Sequence, residues 1–326
     1  MRAFPIGALK NKMEEQKQET KEKVKFSRAF AKFHDKNYKL LLLIPVTLLL
    51  FSFIYTGIFY SQNNDFIRKD ISLTGGTSIT IYDKTVNLDQ VKQDLSGKLD
   101  GMDTRRIYDL VTREQKAIII ETKTKGCDES QIQEPKRILE DYLRYKLING
   151  DNASFECTGS VLSESFYRQL IIALLFAFLF MSIVVFIIFR TLVPSAAVII
   201  SAFADIFMTL TLINLFGIKM SAAGIIAVLM LIGYSVDTDI LLTTRMLKRK
   251  DEPVNQRISK AFRTGITMTL TSLLAIIFAL IVVKSFSPVL SQIFTVLAIG
   301  LGFDILNTWI TNVSILKWYV KNKNEA

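Results

Sequence analysis

Four aspartates stand where an acid is costly. Asp205, Asp237, Asp239 and Asp304 interrupt stretches that are otherwise apolar and nearly free of charge. An ionised carboxylate in hydrocarbon costs roughly 3 kcal/mol on insertion scales, so such groups face a bundle interior or water and commonly mark ion pathways, taking up and releasing hydrogen ions. A plainer role is open to each as well, that of bonding a hydroxyl or backbone group of a neighbouring helix, and Thr267, Thr269, Thr271 and Ser272 offer such partners. Asp237 and Asp239 are two positions apart, about 200° around a helix, and cannot both face one interior point. Gly233, one turn before Asp237, favours close packing on that side. Ser235, one turn before Asp239, favours a polar face there, so the pattern allows either acid to point inward.

Other chemistries find little support. The single histidine, His34, sits in a basic tail and reads as solvent-exposed, which leaves no triad, and no Cys/His spacing suits a metal. No enzyme site and no cofactor motif is expected. Gly300 and Gly302 lie inside an apolar helix and read as helix-packing positions rather than a phosphate loop.

The elements that carry the acids are membrane spans. A hydrocarbon core of roughly 30 Å needs about 20 helical residues, and six runs qualify: 40–60, 169–189, 192–217, 220–244, 265–283 and 288–316. Counting about 1.5 Å per residue from one side, Asp205 and Asp304 lie near 18 Å and Asp237 near 11 Å, so three helices can bring acids to one region. Basic residues in short connections stay on the cytoplasmic side. They gather in the tail 1–39, at Arg190, in the link 245–264 and in the tail 317–326, which places both termini inside. The 61–164 insert carries 15 basic and 18 acidic residues within a chain of net charge +10, so the positive excess belongs to the inner face and lipid headgroups rather than to nucleic acid. The first span lacks a cleavage-site pattern and reads as a retained anchor. Residues 10–39 suit either a helix on the inner membrane surface or a solvated tail. Val254, Ile258, Ala261 and Phe262 recur at helical spacing opposite Arg257, Lys260 and Arg263, which predicts a short interfacial helix before the fifth span.

The 61–164 insert, placed outside, predicts strands over 77–82, 105–111, 116–122 and 154–160 and helices over 88–98 and 129–147. The order β-α-β-β-α-β is that of a ferredoxin-like α+β domain. Cys127 and Cys157 both fall in it. An oxidising exterior permits a disulfide between them; two separate buried thiols are the other reading.

Two segments carry a family resemblance. SAFADIFMTLTLINLFGIKMSAAGIIAVLMLIGYSVDTDILLTTRMLKR resembles the third and fourth spans of the SecF family of protein-export membrane proteins, in the resistance-nodulation-division superfamily. Asp205 matches the third-span acid, Gly233, Tyr234 and Ser235 open the fourth-span motif, and Arg245 matches its cytoplasmic arginine. DISLTGGTSITI, from Asp70 through Gly75, Gly76 and Thr77, resembles the motif joining first span to domain; Thr271 and Ser272 keep the fifth-span TS. Bacterial members have an acid where Thr238 stands and an arginine where Thr267 stands, while Asp237 matches an acid of the sister subunit SecD. The Asp237/Asp239 pair and Asp304 resemble the archaeal branch. The resemblance implies an accessory translocase subunit in the cytoplasmic membrane, paired with SecD, serving the Sec channel and unfolded secretory polypeptides and driven by the proton gradient.

Six spans leave Asp205 and Asp237 in an interior that a partner is expected to close. Two other readings compete: a small-molecule or lipid exporter of the same superfamily, and an assembly factor whose acids only hold helices together. Exporters of that kind carry two large inserts and twelve spans in one chain, which favours the half-complex here.

Overall fold

The computed structural model describes residues 40–325 apart from 110–111, 113, 125–126, 249–252 and 285–286. The readings made on residues 1–39, including His34, lie outside the described residues. Among the described residues six helices are long and apolar enough to cross a membrane, and the chain is a multi-pass membrane protein. In chain order, α1 spans Leu43–Asn63, the single turn α2 Ile71–Thr74, β1 Gly76–Ile81, α3 Leu88–Leu95, β2 Asp103–Tyr108 and β3 Gln115–Thr122. After these come α4 Glu129–Leu143, β4 Ala153–Thr158, α5 Ser160–Phe189, α6 Leu192–Leu215, α7 Ala222–Lys248 and α8 Val254–Val283. The last span runs as α9 Pro288–Leu306, a π-helical stretch Asn307–Asn312, and α10 Val313–Glu325.

The domain between α1 and α5 is ferredoxin-like. Its sheet order is β2-β3-β1-β4, every neighbouring pair antiparallel, with Thr77 opposite Thr122 on one side and Cys157 on the other. Alternation along β1 and β3 sends Ile79, Ile81, Ile118 and Ile120 into a core shared with Val91 and Leu95 of α3 and Leu139 of α4. Cys127 and Cys157 are bonded, fastening the approach to α4 onto β4. Entry to β1 needs two glycines: Gly75 and Gly76 have φ of 79° and 153°, and a Cβ on Gly75 would collide with the backbone of Ser160, where α5 begins.

In the bundle, burial separates the helices. The apolar windows of α6 and α7 are each 56% buried, that of α5 only 6%, so α6 and α7 form the centre and α5 the rim. One apolar cluster, with Ile213, Leu231, Leu297 and Leu301, fills the domain-side half. Another, with Leu242, Met246, Ile258, Phe262, Trp309 and Leu316, fills the opposite half. Gly300 lets Leu231 approach, and Gly265 lets in the Trp309 ring, which meets Phe262 edge-on at 4.9 Å.

Three expectations give way. No separate interfacial helix precedes the fifth span: α8 is continuous from Val254, and Ile258, Ala261, Phe262 and even Arg257 are buried against α7 and the last span, because an apolar stripe packs on helices as well as on lipid. Arg257 donates to the Met246 carbonyl at 2.9 Å, and Arg245 to that of Lys260 at 2.7 Å, tying the ends of α7 and α8 together. Gly233 and Gly302 are exposed with open space beside them, not closely packed.

Candidate functional site

Between the two apolar clusters lies a polar layer. Along α7 the order Leu231, Ser235, Thr238, Asp239, Leu242 passes from one cluster, through the layer, into the other. Asp205 of α6, Asp239 of α7 and Asp304 of α9 are all buried here, each at most 1% exposed. The interior that holds them is closed by the chain's own helices, not left open for a partner as expected. Asp237 is excluded from it. It is exposed on the far side of α7 together with Gly233 and Tyr234, since two positions of helix turn it away from Asp239. The acid that joins Asp205 and Asp304 is therefore Asp239, in place of Asp237.

Neutral donors hold the three carboxylates. Asp205 accepts from Ser235 Oγ at 2.5 Å and Asn307 Nδ2 at 2.7 Å. Asp304 accepts from Thr308 Oγ1 at 3.1 Å and Thr238 Oγ1 at 3.2 Å. Asp239 Oδ1 accepts from Asn312 Nδ2 at 2.7 Å, Thr308 Oγ1 at 2.8 Å and Ser201 Oγ at 3.5 Å. The Thr308 hydroxyl thus stands between Asp239 and Asp304 with one hydrogen for two carboxylates. Thr238 faces Asp304 while also within reach of the Tyr234 and Ser235 carbonyls, one hydrogen for three acceptors. Among the described residues no lysine or arginine forms an ion pair with any of the three acids. The layer thus meets three carboxylates with neutral donors alone, and Asp239 Oδ2 is the one of their six oxygens with no donor.

The π-helical stretch explains how one span supplies so many partners. Its wider turn brings Asn307, Thr308, Thr311 and Asn312 all into the interior, where Thr311 also bonds Asn307 at 3.1 Å. These residues, and Ser201, were not among the sequence candidates. The signal was present: DILNTWITN sets four amide and hydroxyl side chains directly after Asp304 in an otherwise apolar span. The fifth-span residues do not join the layer. Thr267 and Thr271 are exposed and bond their own helix, to the carbonyls of Arg263 and Thr267, and Ser272 is only half-buried.

The same helices are fastened to the domain. Asp70 caps the α2 turn by accepting from Ser72 N at 2.9 Å and Ser72 Oγ at 2.6 Å, and its own N–H donates to the Met220 carbonyl at 3.0 Å. Asn214, at the end of α6, accepts from Arg68 N at 3.1 Å and donates to the Phe66 carbonyl at 2.6 Å. Ala222 N, at the start of α7, donates to Ser72 Oγ at 3.0 Å, and Lys219 pairs with Asp103 of β2 at 3.1 Å. Gln292 of α9 bonds Ser221 and Lys219 in the same joint. Beside it, Arg105 pairs with Glu121 at 3.1 Å. Burial holds the Asp70 and Glu121 carboxyls above their usual range, with Arg105 and Lys219 opposing the shift at both and the Ser72 bonds opposing it further at Asp70.

Comparison with known proteins follows this architecture. The family model for the C-terminal part of the protein-export membrane proteins SecD and SecF matches residues 139–322. The protein-export membrane protein SecF of Methanocaldococcus jannaschii is 40% identical over 294 residues, 87% of this chain and 96% of that one. The SecF of Pyrococcus furiosus is 35% identical over 266 residues, 81% and 85% of the two chains. Among solved structures, that of SecDF, a translocon-associated membrane protein from Thermus thermophilus, superposes with a TM-score of 0.60 at 18% identity. It covers 90% of this chain, which spans 38% of the SecDF chain; at that identity the likeness is one of fold.

Proposed function

Because this chain belongs to the SecD/SecF family of protein-export membrane proteins, we propose that it is a SecF-type subunit of the Sec export machinery, working with a SecD-type chain to promote polypeptide translocation. The observation that carries the reading is the layer of three buried acids on helices whose domain-side ends are hydrogen-bonded to the domain. Uptake of a hydrogen ion by Asp239 or Asp304 changes whether the Thr308 hydroxyl pairs with one or the other and whether Thr238 pairs with Asp304 or with a backbone carbonyl, and uptake by Asp205 changes its bonds to Ser235 and Asn307. That alters how α6, α7 and the last span pack, and the joint at Phe66–Ser72 and Lys219–Ala222 passes the shift to the domain, which acts as the lever on emerging polypeptide. The proton gradient supplies the drive. The basic tail, Arg190 and the basic α7–α8 link orient both termini to the cytoplasm and the domain outward, where the Sec channel releases its clients.

Asp237 supports the pairing. A carboxylate on a surface that otherwise meets lipid is costly, so the exposed face of Gly233, Tyr234 and Asp237 suits a polar helix of the partner, with Gly233 admitting close approach. The test replaces Asp205, Asp239 and Asp304 singly by Asn, in cells lacking the natural chain, and follows a secreted reporter. Each variant is expected to lower export at least about tenfold, the equivalent of 1.4 kcal/mol in the rate-limiting step, at unchanged protein level. Asp237→Asn is expected instead to lower recovery of the SecD-type chain in gentle co-purification. Full export by all three folded interior variants would exclude coupling through the layer.

A further inference from the structure

Beside the joint, α1 and α5 part around a cavity of about 550 Å³, within the roughly 300–1,000 Å³ of small-molecule sites. Both helices rest on α6. Thr56 of α1 meets Thr211 at 3.3 Å, and the Phe203 ring lies 6.2 Å from Phe53 of α1 and 6.2 Å from Phe178 of α5. Toward the domain the cavity separates the two helices. Tyr60 and Phe66, stacked at 4.7 Å, form one wall, and Ile171 and Ile172 of α5 form the other.

Membrane depth follows from the sequence of α5. The uncharged run 169–189 begins directly after Arg168, so Arg168 and Glu164 stand among the lipid headgroups on the domain side. Phe178 is ten residues farther in, about 15 Å, which is half of a hydrocarbon core. The crevice therefore has a charged mouth at the headgroups, apolar walls, and a floor of rings at the middle of the bilayer. Its depth is that of a single leaflet.

The mouth holds two acids and two bases, and they are unequally committed. Asp65 accepts from the Phe66 N–H at 3.0 Å and the Tyr167 hydroxyl at 3.2 Å, and it pairs with Lys69 at 2.5 Å. Lys69 also lies over the Tyr167 ring at 4.4 Å, so these three side chains form a closed set. Glu164 and Arg168 do not. Their closest approach is 3.7 Å, longer than a hydrogen bond, and their side chains are 72% and 75% exposed. One turn apart on α5, about 6 Å along the axis, they present an acceptor and a guanidinium side by side.

We propose that this crevice binds one phospholipid of the domain-side leaflet, and that its headgroup is zwitterionic with a primary ammonium, as in phosphatidylethanolamine. The phosphate lies on Arg168, whose forked donors match it. The ammonium, two carbons away, donates to Glu164, and one apolar chain runs past Ile172 toward Phe203. A glycerol headgroup brings the phosphate but leaves Glu164 facing a net negative lipid. A choline headgroup brings a cation with no N–H to donate. The site is separate from the acid layer, and it adjoins the joint through Lys69, whose backbone bridges Met220.

The experiment is native mass spectrometry of the purified full chain in detergent, titrated with phosphatidylethanolamine, phosphatidylglycerol or phosphatidylcholine of identical chains. One phosphatidylethanolamine is expected to bind at several-fold lower concentration than either of the others. Arg168→Gln is expected to weaken binding of all three about tenfold, the size of one charge-assisted hydrogen bond. Glu164→Gln should bring phosphatidylethanolamine down to the level of phosphatidylcholine without weakening phosphatidylglycerol. Both side chains are exposed, so neither change disturbs the fold, and Ile172→Trp fills the crevice and lowers lipid binding with the charges untouched. Equal binding of the three lipids, unmoved by these variants, identifies surrounding bilayer lipid only and overturns the proposal. So does a preference for phosphatidylglycerol, a preference for phosphatidylethanolamine that survives Glu164→Gln, or displacement of the lipid by inorganic phosphate.

Discussion

The molecule buries carboxylates in two regions and treats them in opposite ways. At the domain joint, buried Glu121 pairs with Arg105 and half-buried Asp103 with Lys219, and the same two cations act through space on buried Asp70, whose direct donors are those of Ser72. In the bundle, Asp205, Asp239 and Asp304 are met by hydroxyls and amides, and the matching charge has to come from solution. A buried acid with its own cation is a fixed clasp, whereas one with only neutral donors changes its bonding whenever a small cation arrives or leaves. In the proposed function, the first arrangement transmits motion and the second generates it.

Giving the bundle the joint's solution should break the contrast most severely. Asn307→Lys would set a permanent cation against Asp205, and export of a secreted reporter is expected to fall to background while the protein still accumulates in the membrane; retained export would show that the layer need not exchange charge. Removing the joint's cation comes next. Arg105→Ala leaves Glu121 buried and unmatched, with an expected loss of about 1–3 kcal/mol in domain stability, measured by urea unfolding, and a reduced export rate rather than an abolished one. The smallest effect concerns pH. Burial raises the Glu121 carboxyl above its usual value of 4.5, so the folded domain binds a hydrogen ion more readily than the unfolded chain does. Stability should therefore decline as pH rises from 4.5 through the raised value, and be greater below it. Glu121→Gln is expected to flatten that slope in pH-dependent melting, and an unchanged slope would assign the dependence to another group, Asp70 first.

Much of this architecture was legible along the chain. Six apolar runs marked six spans, the β-α-β-β-α-β order marked the domain, and Gly75 with Gly76 marked its entry, because burial of an apolar run or a positive φ is a property of the residues themselves. Ser235 beside Asp239 hinted at the polar face. What could not be read was rotation. Val254–Phe262 carried a stripe that suits lipid and protein equally, and only its neighbours α7 and α10 decided for protein. Gly233 gave a packing signal on the side that faces away from the bundle, and Thr267 and Thr271 of α8 turned to their own backbone because their face lies outside.

From its residues alone this chain determined that it crosses a membrane six times, that a four-stranded domain follows the first crossing, and that acids stand at membrane depth. Free energies of transfer add up residue by residue, so sequence suffices for them. Tertiary structure decided that Asp239 and not Asp237 meets Asp205 and Asp304, and that a π-helical turn delivers Asn307, Thr308 and Asn312 to them. Both outcomes depend on how each helix is turned about its axis, and that angle is set by the shapes of the helices packed against it.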